Sequence, residues 1–545
     1  MTGDEARPRI RHNDYSPVTP APIGRWNPEL PVSVIIPAHG GQHRLDLVLA
    51  SLAAQSYPAP LTEVIVVDDG SSPPLRLPEI RPENTRLIQS PPDGRGAGHA
   101  MNAGIAVAEG EVVQRLDADM VIHREHLEAL LRWQHLTDYL VTFGGKKFVT
   151  EPPLRPGEVF EAVGKGELES LFADSELVSS STEETVRRLD GLRASRNPYQ
   201  TCTGPTVSLR RTLLDKVRGF DPAVVRGQDT EFAYRLAQEG AVFVPDFSAR
   251  AVHLGLPAQR GEHREAIVRL VETYLAHQVP LRRDLRKEWG RGWAVPYVEI
   301  VLDVSAGPGA VPPGTAQAAR AAISAALGGT VSDVRISLVG PWSRLGDVRV
   351  GDPLFDLVLL REGFERDPRV RLVEEIPPSA APTPFRFTGP LGHPLAPDTL
   401  ERMTKAMTEE RLGMLVVTFP DGGTATLSRT EAVNRARLLA SPGEPLESVV
   451  DLTHGVRHAE PAQFWDADAA DRSARTTAQH HPHRTGRDET AGARPAPKPA
   501  ADTTADTAAD TRADTAADAA PVSASAKPAA PARRSGLLDR LRGMR

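Results

Sequence analysis

Residues 63–72 read EVIVVDDGSS, and this stretch decides the fold class. Its β-branched run, Val64 to Val67, offers no polar side to solvent, so it reads as a strand buried on both faces. It ends abruptly in turn residues, Asp68-Asp69-Gly70-Ser71. Upstream, VSVIIP (32–37) is a second strand of the same kind, and LDLVLASLAAQ (45–55) between them has helical spacing. Downstream follow a short strand RLIQS (86–90), a helix GHAMNAGIAVAEG (98–110) closed by glycine, and a fourth strand EVVQRL (111–116). Strands and helices alternating over short connections imply a doubly wound, mostly parallel α/β sheet of Rossmann-like type. In such a sheet, ligands sit beyond the carboxyl ends of the strands. Three of these ends are unusually polar: Pro37-Ala38-His39, Asp68-Asp69-Gly70-Ser71 and Asp117-Ala118-Asp119.

The chain has 545 residues, too many for one ordinary core, so at least two domains are expected. A net charge of −7 without a face-wide basic excess argues against a nucleic-acid partner. No apolar run approaches the roughly 20 residues needed to span a bilayer. The N-terminal MTGDEARPRIRHND has no apolar segment of the secretory kind. The single cysteine, Cys202, excludes an intrachain disulfide and points to a reducing, cytoplasmic setting. Arginine in excess of lysine, with abundant alanine and proline, fits a GC-rich bacterial genome.

The chemistry begins at Asp117 and Asp119. Residues i and i+2 of an extended chain point to the same side, roughly 6–7 Å apart. Two carboxylates so placed repel each other unless a cation sits beside them, and hard oxygen ligands suit Mg²⁺ or Mn²⁺. Further on, GQDTEFAYRLAQEG (227–240) reads as a helix with Asp229 at or near its N-cap. A short strand AVFVP (241–245) and then ARAVHLG (249–255) bring His253, whose imidazole is acceptable to Mn²⁺. GRGAG (94–98) lacks dinucleotide-fingerprint spacing and follows the third strand.

Six segments in order, VSVIIPAHG, VIVVDDGSS, GHAMNAGIAVAEGEVVQRLDADM, SLRRTLLDKVRGFDPAV, GQDTEFAYRL and AVHLG, resemble the motifs of family-two inverting glycosyltransferases of the GT-A fold. The resemblance covers about 32–255. It implies transfer of a sugar from a nucleotide-sugar donor, a UDP- or GDP-sugar, to a hydroxyl of a glycan or lipid-linked acceptor in surface-glycan or glycoconjugate synthesis. It further implies Mn²⁺ or Mg²⁺ as cofactor, with Asp117, Asp119 and His253 as metal ligands. Donor contacts fall on Pro37, His39, Asp69, Asn102 and Asp117. Asp229 becomes the catalytic base, although Gln228 stands where many members carry Glu. A catalytically silent sugar-nucleotide or glycan-binding scaffold of the same fold is the alternative. A nucleotidyltransferase would need a Gly-rich basic loop after the first strand, and PAHGGQHR (37–44) is a poor one.

These readings divide the chain into an N-terminal arm (1–30), a GT-A glycosyltransferase domain (31–290), a second, smaller α/β domain (291–460), a disordered Ala/Asp/Thr/Pro-rich linker (461–532) and a short basic amphipathic segment (533–545). Polar helices are expected within 146–200. The second domain repeats the first in a worn form: YVEIVLDVSAGPG (297–309), AQAARAAISAALGG (316–329) and DVRISLVGPWS (333–343) follow the opening β-α-β, and Thr388-Gly389-Pro390-Leu391 stands where the D-x-D would be. It reads as a degenerate, non-catalytic copy serving acceptor binding or assembly; an unrelated α/β domain whose strands look alike by chance is the alternative. Leu537, Leu538, Leu541 and Met544 share one helical face among arginines, which suits a peripheral contact with the inner face of a membrane or with a protein partner.

Overall fold

The computed structural model describes residues 7–202, 204–224, 226–255, 264–287, 292–305, 312 and 314–465. The readings for 466–545, the basic amphipathic segment included, lie outside the described residues.

The first sheet is built from β1 (Val32–Ala38), β2 (Thr62–Asp68), β3 (Thr85–Gln89), β4 (Val112–Arg115), β5 (Met120–Ile122), β6 (Leu140–Val149), β7 (Val178–Ser179), β8 (Val207–Arg210) and β9 (Val242–Leu254). Its order is β3-β2-β1-β4-β8-β6-β9-β5, with β7 paired to β6. Strands β3, β2, β1 and β4 run parallel. The period of two along these strands explains the double winding. Val34, Ile36, Val64 and Val66 pack with Leu45, Val48 and Leu49 of helix Gln42–Ala53 on one face. Ile35, Ile65 and Val67 pack with Ala100 and Met101 of helix Ala97–Val107 on the other. That second helix lies so close that a Cβ on Gly104 would overlap Ile35.

Beyond β4 the sheet is mixed, where sequence reading expects a mostly parallel one. β8 runs antiparallel to both β4 and β6, β9 is parallel to β6, and β5 is antiparallel to β9. β9 is also one continuous strand, not a short strand followed by a separate segment. Its internal Asp246 disguises this in the sequence. That side chain is buried and accepts from Arg132 Nη2 (2.6 Å) and Trp133 Nε1 (2.8 Å).

A second sheet contains β10 (Val298–Asp303), β11 (Val334–Val339), β12 (Val370–Val373), β13 (Phe385–Thr388), β14 (Met414–Thr418), β15 (Thr424–Arg429) and β16 (Val456–Ala459). Its order, β12-β11-β10-β13-β15-β14-β16, reproduces β3-β2-β1-β4-β8-β6-β9 strand for strand. The parallel or antiparallel sense of every corresponding pair is also the same. The N-terminal stretch is wedged between the two units. Ile10 and Tyr15 are buried. Arg7 pairs with Asp138 (2.9 Å) of the first unit and Arg9 with Glu444 (2.6 Å) of the second. Between β6 and β8 lie the helices Pro156–Lys165 and Ser181–Arg188.

Candidate active site

The polar ends of β1 and β2 are knitted together. Asp69 N–H donates to the Ala38 carbonyl (2.8 Å), and His39 Nδ1 lies 2.8 Å from the Asp69 carbonyl. The Asp69 carboxylate accepts from Ser90 Oγ (2.7 Å) and Gly96 N–H (2.6 Å), so it braces the connection from β3 to the following helix. Asp68 is buried and takes the N–H groups of Ser71 (2.9 Å) and Leu75 (3.1 Å), which holds its pKa below the ordinary carboxylate range against the opposing effect of burial. Pro37 is the penultimate residue of β1, next to Ala38. Asn102 stands apart: its amide is spent on the Phe220 backbone, donating to the carbonyl and accepting from the N–H, both at 2.8 Å.

The end of β4 carries a cluster of paired charges. Arg115, the last residue of β4, donates from Nε to Asp117 Oδ1 (2.9 Å) and from Nη1 to Asp229 Oδ1. Gly204 N–H donates to the other oxygen of Asp229 (3.1 Å). A Cβ at Gly204 would overlap both Arg115 and Asp229, so only glycine lets the backbone come this close. The side chains of Arg115 and Asp229 are 7% and 8% exposed. Burial works against the charge on Arg115, but the two carboxylates outweigh it and its pKa stands above the usual arginine value. Burial likewise pushes Asp229 up from the ordinary aspartate range, with Arg115 acting in the opposite sense.

Asp229 is the second residue of helix Gln228–Gln238, whose N-cap position belongs to Gly227 at φ 80°. It thus lies near the N-cap, as sequence reading expects, without being the cap itself; its carboxylate reaches across to Arg115 of β4. Arg115 was missed as a functional residue, although two signals were available. It is a charged side chain inside a buried strand, and it stands two residues before Asp117, on the same side of the chain.

Asp119 and His253 meet on the next strand pair. β5 and β9 place Met120 opposite His253, and Leu254 N–H donates to the Asp119 carbonyl (2.9 Å). His253 Nε2 lies 3.6 Å from Asp119 Oδ1, beyond hydrogen-bond reach. The other ring nitrogen, Nδ1, is buried without a partner. An imidazole held this way beside a carboxylate fits a divalent cation accepting from Nε2 and the carboxylate oxygen. Asp117 does not join them, because it is turned to Arg115. Among the described residues no three such side chains converge on one point.

Residues 33–218 match the model for Glycosyl transferase family 2, so the chain carries a domain of that family. A hyaluronan synthase of Pasteurella multocida is 25% identical over 364 residues, 63% of this chain and 35% of that protein. The probable glycosyltransferase YdaM of Bacillus subtilis is 37% identical over 234 residues, 40% of this chain and 50% of that protein. The chain thus spans between about a third and a half of these relatives. Among solved structures, a mannosyltransferase of Pyrobaculum calidifontis in complex with GDP-Man and Mn²⁺ aligns with a TM-score of 0.32 and 18% identity, over 50% of this chain and 68% of that one.

Proposed function

We propose that the chain is a glycosyltransferase that moves a sugar from a nucleotide-sugar donor, a UDP- or GDP-sugar, to a hydroxyl of a glycan or lipid-linked acceptor, with inversion at the anomeric carbon. One observation carries this reading: a single guanidinium, Arg115, holds both the first D-x-D carboxylate and the buried carboxylate of Asp229 at a strand end of a domain matching family 2 glycosyl transferases.

An acceptor hydroxyl is a weak nucleophile at neutral pH and needs a carboxylate to take its proton. Asp229 is that base. Its raised pKa brings it nearer the working pH, and its two oxygens, each holding one donor, keep lone pairs for a hydroxyl. Arg115 fixes the carboxylate in place. Asp69, braced by Ser90 and Gly96, together with Pro37 and His39, forms the wall for the nucleotide base. Asp119 and His253 would hold Mn²⁺ or Mg²⁺, which supplies positive charge against the departing diphosphate. Residues 31–290 form the catalytic unit, and 291–460 a non-catalytic copy that supports acceptor binding or assembly. The enzyme acts in surface-glycan or glycoconjugate synthesis on the cytoplasmic side.

The test is nucleoside diphosphate release from a panel of UDP- and GDP-sugars, with Mn²⁺ and with excess chelator. Metal-dependent release from one donor supports the proposal. Saturable donor binding without any release, under all conditions, would make the chain a silent scaffold.

A further inference from the structure

The junction between the two units holds an open-sided cavity of about 160 Å³, far from neutral in charge. Five arginines line it, Arg196, Arg283, Arg411, Arg429 and Arg435, against one acidic residue, Glu431. Among the described residues only Arg283 of these five holds a carboxylate at hydrogen-bond distance, Asp333 at 3.0 Å, and that carboxylate also serves Arg286 (2.7 Å). Glu431 stands 3.8 Å from Arg429. Arg435 is buried, and its partners among the described residues are backbone carbonyls, Gly240 (2.8 Å) and Ala241 (2.9 Å) among them. Arg411 donates to the Ser195 carbonyl (3.2 Å) and has no carboxylate partner among the described residues. Arg435 is buried, Arg411 and Arg429 are half-buried, and Arg196 and Arg283 stand exposed at the rim, so positive charge gathers around the void with little carboxylate to offset it.

Two histidines report the same field. His12 and His454 both line the cavity. Burial and the surrounding arginines push His12 down to about 3 and His454 well below its ordinary value. A positive φ is uncommon for residues with a side chain, yet Arg411 (56°) and His12 (50°) both adopt one here.

We propose that this junction cavity is an oxyanion site that takes a phosphate group. Guanidinium forks match phosphate oxygens in charge and geometry. A void near 150 Å³ holds a benzene-sized guest, so a phosphate fits, and the open side of the cavity leaves room for the rest of a molecule that carries it. The site is separate from the active site: Ala237 in its wall and Asp229 lie on one helix, eight residues or about 12 Å apart along the axis. The bound anion joins the units, because its ligands come from the segment at 196, from Arg283 and from the second unit.

The experiment is calorimetric titration of the full chain with inorganic phosphate and with glucose 1-phosphate, in chloride buffer of matched ionic strength. The proposal expects saturable binding of one anion per chain. Each of Arg196→Gln and Arg411→Gln should weaken it by about tenfold or more, the loss of one charged hydrogen bond, while Asp119→Asn leaves it unchanged. Arg196 is exposed, so its variant keeps the fold, checked by circular dichroism. Equal affinity for the two ligands identifies the free ion, and tighter glucose 1-phosphate identifies a phosphate carried on a larger molecule. Absence of binding at tens of millimolar overturns the proposal. So does binding that both arginine variants retain, or binding lost in Asp119→Asn alone, which would put the anion in the donor site.

Discussion

Arg115→Met removes a charge while keeping most of an aliphatic stem. In the native protein this guanidinium spans Asp117 and Asp229, and its side chain is only 7% exposed. The substitution leaves Asp229 buried with one remaining donor, Gly204 N–H. Breaking a buried ion pair from one side costs about 3–5 kcal/mol. Asp117 is 19% exposed and regains water, so most of the loss comes from Asp229. At about 2–4 °C per kcal/mol for a domain of this order, melting of the first unit should drop by roughly 6–20 °C. Adding Asp229→Asn removes the stranded charge, so the double variant should recover part of the loss, with a coupling of about 0.5–3 kcal/mol. The assay is denaturant unfolding of wild type, both single variants and the double variant. A single Arg115→Met variant as stable as wild type, or a cycle with no coupling, would refute the claim that this guanidinium neutralises Asp229.

Other consequences can be checked on the same material. Asp229→Asn should lower transfer by about 100- to 10,000-fold, the usual range for losing a general base, with donor affinity retained; an equal fall in affinity would make Asp229 a binding residue. Asp119→Asn and His253→Gln should each abolish most metal-stimulated turnover without changing the melting temperature by more than a few degrees, and full turnover in chelator would contradict the metal assignment. Gly204→Ala should unseat Arg115 and Asp229 together, since its Cβ would overlap both, and should reduce activity; wild-type rates would show that the backbone yields there. His12 titrates below its unfolded value near 6.5, so between that pH and about 3 the unfolded chain holds more protons and stability falls with falling pH. His12→Asn, which tolerates the positive φ, should flatten this acid-side loss in denaturant midpoints taken from pH 8 to 5.

The parts legible in the sequence are those set by local pattern. Val64–Val67 and Val34–Ile36 admit little except strands buried on both faces, and the polar residues after them stand out because a buried strand has no folding need for them. Strand direction beyond β4 was not legible, because it depends on which distant segments become neighbours. Asp246 made β9 read as two pieces, since its partners Arg132 and Trp133 lie over a hundred residues earlier. Asn102 sits in a motif that resembles a donor contact, yet its amide closes on the backbone of Phe220, 118 residues away. Asp229 falls near the N-cap as read, in the first turn, while Gly227 takes the left-handed cap position itself.

The second sheet separates what the fold requires from what the chemistry requires. Register pairs Ile35 of β1 with Arg115 of β4, and Val301 of β10 with Thr388 of β13. With the first residues of β1 and β10 aligned, Thr388 occupies the place of Arg115, and Pro390 that of Asp117. A guanidinium and a carboxylate have given way to a hydroxyl and a ring with no donor. Helix Leu446–Thr453 precedes β16 as helix Gln228–Gln238 precedes β9, and its second residue, Glu447, is an exposed side chain bonded to His458 (2.9 Å). The strand interiors, by contrast, keep their apolar character: Ile300, Leu302, Ile336 and Leu338 are as buried as their counterparts in the first sheet. Core packing therefore holds the seven-strand order in both units, while the residues beyond the strand ends are free of that constraint. On the proposed function, the first unit's strand ends gather charged groups that pair, as Arg115, Asp117 and Asp229 do, while the same backbone positions of the second unit carry Thr388 and Pro390.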